Sequence, residues 1–163
     1  MSAPKNGGIT NELLDLGEWQ LSQLPESDAT FFIRILNHTT VVDSLFISRI
    51  SGEPEKYSGD NTLDTPSLST LRQTMEQHHA WLVDFTQAVT ADELQRNVTF
   101  RFIDGGIGQL SVEEILLHLL THGSNHRGMA SRVLAEHGLE RPKDTFTRYL
   151  HETEPTRREN TGI

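Results

Sequence analysis

The chain has 163 residues, 14 Lys and Arg against 23 Asp and Glu for a formal net charge of −9, eight His and no Cys. That length suits one domain with a sizeable core, while the acidic balance repels a phosphate backbone and argues against a nucleic-acid partner. Without thiols there is no disulfide, thiolate metal site or cysteine nucleophile, so any metal must be held by His, Asp or Glu.

Residues 1–9 read as a disordered polar segment, and Met1 to Gly8 lacks the apolar core of a signal peptide. No uncharged apolar run approaches membrane-spanning length, which points to a cytoplasmic protein with no membrane contact. Thr10 is placed to cap a first helix that carries Leu13, Leu14, Leu21 and Leu24 on one side and stops at Pro25. A second helix is expected from Ser27 or Asp28. Along it Phe31, Ile35, His38, Val42, Leu45 and Arg49 follow a 4-3-4-3-4 rhythm, the spacing of a face turned into a bundle.

Residues 51–67, rich in Ser, Gly, Pro and Asp, read as a connection longer than the usual helix-helix loop. Its Tyr57 either reaches a pocket mouth or lies in a plain surface loop. Thr65-Pro66 is expected to start a third helix with Leu71, Met75, His78, Leu82, Phe85 and Val89 on its stripe. Asn97 to Ile103 then alternates, with Val98, Phe100 and Phe102 on one side, and Asp104-Gly105-Gly106 makes a turn, so a short extended excursion or hairpin is expected.

Ser111-Val112-Glu113-Glu114 has the capping-box pattern. The helix it opens runs to His137, with Gly138 in the left-handed terminal position. At about 1.5 Å per residue it spans roughly 40 Å, the full height of a bundle. Its inward stripe is Ile115, Leu119, His122, His126, Met129 and Val133. After Pro142, Asp144 to Glu152 suits a short helix whose Phe146, Tyr149 and Leu150 pack on the bundle, before a charged tail over 153–163. The fold class is therefore all-α: a bundle of four main helices over residues 10–152, with a long loop between the second and third.

The most informative feature is His122-Gly-Ser-Asn-His126, two histidines four residues apart on one helical face. His38 interrupts the apolar stripe of the second helix in the same way. Any one of these is more often a hydrogen-bonded core histidine than a ligand. Three on apolar stripes, however, need three separate hydrogen-bonding solutions, whereas one ion satisfies them together. Three neutral imidazoles suit zinc, nickel, iron or another borderline divalent ion and leave a position open for water or substrate. His118, one turn before His122, is a fourth ligand, a hydrogen-bond partner or a boundary residue. His78 is the candidate acid or base, against a structural role in the core. The pair is not a zinc-protease helix, since Gly123 stands where that motif needs its glutamate.

The run Leu117-His-Leu-Leu-Thr-His122-Gly-Ser-Asn-His126-Arg127-Gly128 resembles the closing motif of the DinB/YfiT-like superfamily, H-x-x-x-H-x-x-x-H-R-G-Q on the last long helix. The rest of the chain agrees in order: a histidine in the second helix, a Phe-rich extended segment ending in Asp-Gly, and a terminal Gly-Leu-x-x-Pro-x-Asp stretch. The resemblance implies an up-down-down-up four-helix bundle that holds a divalent metal through His38, His122 and His126. Zinc or nickel is the usual ion, with iron or manganese as alternatives, and homodimers are frequent. Asn125 and Met129 depart from the aromatic or histidine, and the glutamine, of many relatives, which puts any contact made by those positions in doubt. Arg127 is retained, a candidate to bind a cofactor or substrate carboxylate or to make a structural ion pair.

Characterised relatives of this kind transfer or isomerise with a low-molecular-weight thiol such as bacillithiol, mycothiol or glutathione. A metal-dependent thiol S-transferase acting on a small-molecule electrophile is thus the leading functional expectation. A non-catalytic metal- or ligand-binding module of a stress response and a metal-dependent hydrolase are the alternatives.

Overall fold

The computed structural model describes residues 13–15, 19–142 and 146–157. Residues 13–15 and 19–21 are helical and turn into Pro25, as the leucine pattern predicts; the proposed cap Thr10 and the segment 1–9 lie outside the described residues. Then follow α1 (Glu26–Ser51), α2 (Leu68–Ala88), a single turn α3 (Ala91–Leu94), β1 (Asn97–Arg101), β2 (Ile107–Ser111), α4 (Val112–Glu136) and α5 (Phe146–Thr153), with a closing 3-10 turn over Pro155–Arg157. The molecule is mostly helical, with one two-stranded hairpin.

Two helix starts differ from expectation. The chain enters α1 directly from Pro25, whose φ of −53° already suits a helix, so Glu26 rather than Ser27 or Asp28 is the first helical residue. In α2 the start moves past Thr65-Pro66 to Leu68, because the Ser67 hydroxyl accepts the Thr70 backbone N–H at 3.2 Å and caps the helix there. The capping box of α4 forms as predicted: Ser111 Oγ accepts the Glu114 N–H at 3.2 Å and the Glu114 carboxylate accepts the Ser111 N–H at 2.8 Å. Gly138, at φ 68°, takes the left-handed conformation beyond the helix end.

The hairpin pairs β1 with β2 antiparallel, Asn97 opposite Ser111 and Arg101 opposite Ile107, which delivers the chain straight into the capping box of α4. Val98 and Phe100 point into the core, as the alternation predicts, while Phe102 is largely exposed.

Two apolar clusters form the core. One gathers Leu13, Leu14, Leu24, Phe32, Ile35, Leu36, Leu71, Met75, Ala130, Val133 and Leu134. The other gathers Val42, Phe46, Ile50, Val98, Phe100, Val112, Ile115 and Leu119, with Trp81, Leu82 and Phe85 packed against it. Helix α1 crosses both clusters and packs on both α2 and α4, so it is buried over more than one stripe. This displaces two expected stripe positions. Phe31 is 54% exposed and Met129 42% exposed, and the core instead takes Phe32 and Leu36, and Ala130 and Leu134. In α5, Phe146 and Tyr149 face solvent rather than the bundle. Among the described residues no helix is long and apolar enough to cross a membrane.

Candidate metal centre

The membership of the two clusters leaves a stretch of each long helix between them: residues 37–41 of α1, 76–80 of α2 and 120–129 of α4. Those stretches carry His38, His78, His79, His122, His126 and Arg127. The bundle is therefore an apolar-polar-apolar stack, and the histidines singled out by spacing fall in its middle layer.

His38, His122 and His126 converge there. Each offers a ligand atom, and the three atoms lie within 4.8 Å of one another. His38 Nε2 stands 3.2 Å from His122 Nε2. The ring centroids are 4.4 Å apart for His122 and His126, 4.7 Å for His38 and His126, and 5.1 Å for His38 and His122. The i, i+4 spacing brings the two α4 rings together, and the packing of α1 on α4 supplies the third.

The electrostatics favour neutral rings. Burial pushes His122 down to about 4, helped by His126, His38 and His118, and burial with His38 lowers His126. Both are thus unprotonated at neutral pH and keep a lone pair for a ligand. His38 is tied from behind: its Nδ1 lies 2.6 Å from the backbone carbonyl of Asp60. A carbonyl only accepts, so Nδ1 carries the proton and Nε2, the atom facing His122, carries the lone pair.

Two further observations test whether a metal fits. Nδ1 of His122 and Nδ1 of His126 are buried with no hydrogen-bond partner. A buried unpaired nitrogen costs about 1 to 3 kcal/mol, so two of them around three converging rings leave a cost that no described protein group offsets. The all-imidazole donor set suits zinc, nickel or iron.

The structure separates the remaining histidines from this group. His118 stacks on His122 at 5.2 Å and tilts against Phe46 at 5.0 Å, bracing the His122 ring by its face without joining the converging trio. His78 is half-buried with an unpartnered Nδ1, and burial, with His79 and Lys56, lowers it to about 4. His79, next to it on α2, is half-buried, lowered by burial and by Arg127. His137 pins the end of α4 to the start of α1 through Asp28, Nε2 to Oδ2 at 2.7 Å.

Arg127 folds back along α4. A Cβ on Gly123 would fall 3.0 Å from its Nη1 and 4.0 Å from Thr39 Cγ2 on α1. The glycine between His122 and His126 therefore makes room for the guanidinium where α4 meets α1. There its charge acts on Asp43 of α1 and His79 of α2. Asp43 was not foreseen: it is 7% exposed, and burial pushes its carboxyl up to about 7 against the pull of Arg127. The one sequence signal was a carboxylate inside the run Thr39 to Phe46, half of it apolar; in the fold all of that run is buried.

A comparison with curated proteins yields no match. The profile of the DinB family matches residues 6–159, nearly the whole chain and all of the polar layer. The chain belongs to the DinB family.

Proposed function

We propose that this protein holds one divalent metal ion, zinc or nickel, through His38, His122 and His126, and uses it to activate an external low-molecular-weight thiol for S-transfer to a small electrophile. The observation that carries the metal is the convergence of three imidazoles, each offering a nitrogen within 4.8 Å of the other two. Family membership and the absence of cysteine support the external thiol.

A bound divalent ion would hold such a thiol as thiolate near neutral pH. The chain's own contribution is to keep the ligands neutral by burial and to fix the His38 tautomer through Asp60. In the transfer the thiol loses its proton and its sulfur forms a bond to carbon. The bonding pair of the electrophile departs with an epoxide oxygen or a halide, or moves onto the neighbouring carbon of an activated alkene. His78, neutral at pH 7, is the candidate acceptor for the thiol proton. Arg127 is the candidate for orienting a carboxylate of the thiol, in competition with its attraction to Asp43.

The order in which the helices feed the clusters supports the up-down-down-up topology. Helices α1 and α2 give the first cluster their N-terminal halves, and α4 gives it its C-terminal half. A cytoplasmic homodimer without nucleic-acid contact completes the reading.

The test is elemental mass spectrometry and thermal unfolding of the wild type beside His122→Ala and His38→Ala. One equivalent of metal, lost in both variants, is expected, and zinc at a hundredfold excess over Kd should stabilise only the wild type, by about 2.7 kcal/mol. Conjugates of each thiol with an epoxide or alkyl halide, absent in His122→Ala, would then establish the transfer. No metal in the wild type after reloading would end this reading.

A further inference from the structure

The histidine that α1 contributes is held by a segment distant in sequence. The connection between α1 and α2 folds back onto α1 through side chains rather than through secondary structure. Buried Asn37 donates from Nδ2 to the side-chain oxygen of Asn61, and to Thr62 Oγ1 at 2.7 Å. Asn61 in turn donates from Nδ2 to the Arg34 carbonyl at 3.1 Å and accepts the Thr62 backbone N–H at 3.1 Å. Arg34 donates from Nη2 to the Thr62 carbonyl at 3.0 Å. The residue before this knot is Asp60, whose carbonyl meets His38 Nδ1 at 2.6 Å.

We infer that Asn37, Asn61 and Thr62 form a clasp that positions His38 as a metal ligand, so that metal binding and docking of the loop over residues 52–67 are thermodynamically linked. The inference rests on the metal reading above for its affinity arm only. The Asp60 carbonyl is placed by the bonds of the next residue, Asn61, to two groups of α1. With the clasp closed, His38 Nδ1 has an acceptor and Nε2 is committed to the site. With it open, the ring loses that acceptor, and the proton is free to move to Nε2, where it blocks ligation. Hydrogen-bond partners of this kind, which orient a ligating imidazole, change metal affinity by about 10- to 100-fold when removed. By linkage, an ion on Nε2 must hold the loop down by the same factor.

Asn61 is the residue to alter, because it touches none of the three histidines and lies in a loop. In Asn61→Ala, two readouts are expected to move. Zinc Kd, measured by competition with a chromogenic chelator, rises 10- to 100-fold. In metal-free protein, ¹⁵N-edited spectra show His38 leaving the pure Nδ1–H tautomer of the wild type. Thr62→Val, which removes one hydroxyl at constant shape, should shift both in the same direction by less, and it carries the test if Asn61→Ala does not fold. An unchanged His38 tautomer in the folded variants overturns the clasp whatever the metal does, and so does an unchanged Kd where the wild type binds zinc. A wild type that binds no zinc refutes the metal reading, and the tautomer readout then decides the clasp alone.

Discussion

Replacing Asp43 by Asn should make the protein more stable, and by an amount that grows with pH. Burial pushes the Asp43 carboxyl from 3.8 up to about 7, with Arg127 offsetting only part of the cost. Between those two values the folded state binds the proton and the unfolded state does not, so stability falls as pH rises through the window. The penalty for the wild type is about 2 kcal/mol at pH 5 and about 4 kcal/mol at pH 8. Residual water and relaxation around a carboxyl that is 7% exposed make these figures ceilings. The advantage of Asp43→Asn over the wild type should therefore increase by roughly 1 to 3 kcal/mol from pH 5 to pH 8. Asparagine keeps the shape but adds an amide that needs its own partners, which changes the offset at every pH and leaves the slope intact. Urea unfolding of both proteins, with chelator present, at pH 5, 6, 7 and 8 reads the difference directly, and the histidine titrations common to both cancel. A difference that is flat or shrinks with pH would show that Asp43 is ionised comfortably in the fold, and the polar layer would have to be more open than its burial indicates.

Two other outcomes are expected. The two glycines of α4 should behave oppositely: at Gly128 a Cβ meets nothing within 4 Å, so Gly128→Ala gains helix propensity of about 1 kcal/mol and raises Tm by about 2 to 4 °C. Gly123→Ala has the same propensity on offer but must displace the Arg127 guanidinium, and an equal rise in Tm there would show that Arg127 is not held against α1. Metal-free wild type should lose stability as pH falls below 6.5 toward 4, because unfolding frees His122 to protonate at its ordinary value; His122→Ala should flatten that limb in the same urea titration.

The parts of this fold that were legible in the sequence are those written in local rhythm. The 3.6-residue period predicted α1, α2 and α4, the period-2 run Val98-Thr-Phe100 predicted the hairpin, and Ser111-x-x-Glu114 placed a helix start to the residue. The histidine trio was legible because two members share a helical turn and the third interrupts an otherwise apolar stripe. What depends on the rotation of one helix against its neighbours was not. Phe31 and Phe32 differ by about 100° around α1, and only the packing on α2 and α4 chooses the second for the core. The Asp60 to Thr62 contacts with Arg34, Asn37 and His38 join residues more than twenty apart through side chains in an irregular loop. No period announces such a pairing. Asp43 could be seen as odd, but its burial and the charge of Arg127 that acts on it are set by the packing of α1 on its neighbours.

The arrangement of the core explains how a bundle tolerates so many polar groups at its middle. Each apolar cluster draws on α1, α2 and α4, so the three helices are joined above and below the polar layer, and the layer itself need not hold them together. Within the layer and at its edge, each polar group meets burial differently. Asp43 is under pressure to keep its proton, His122 to lose it, and His38 is paired to a loop carbonyl. Among the described residues of the layer, the Nδ1 atoms of His122, His126 and His78 are left without a protein partner. Burial without compensation selects against such atoms unless a ligand removes the cost. Two of these atoms sit on rings of the converging trio, whose other nitrogens are free to face an ion, and the third, on His78, lies outside that group.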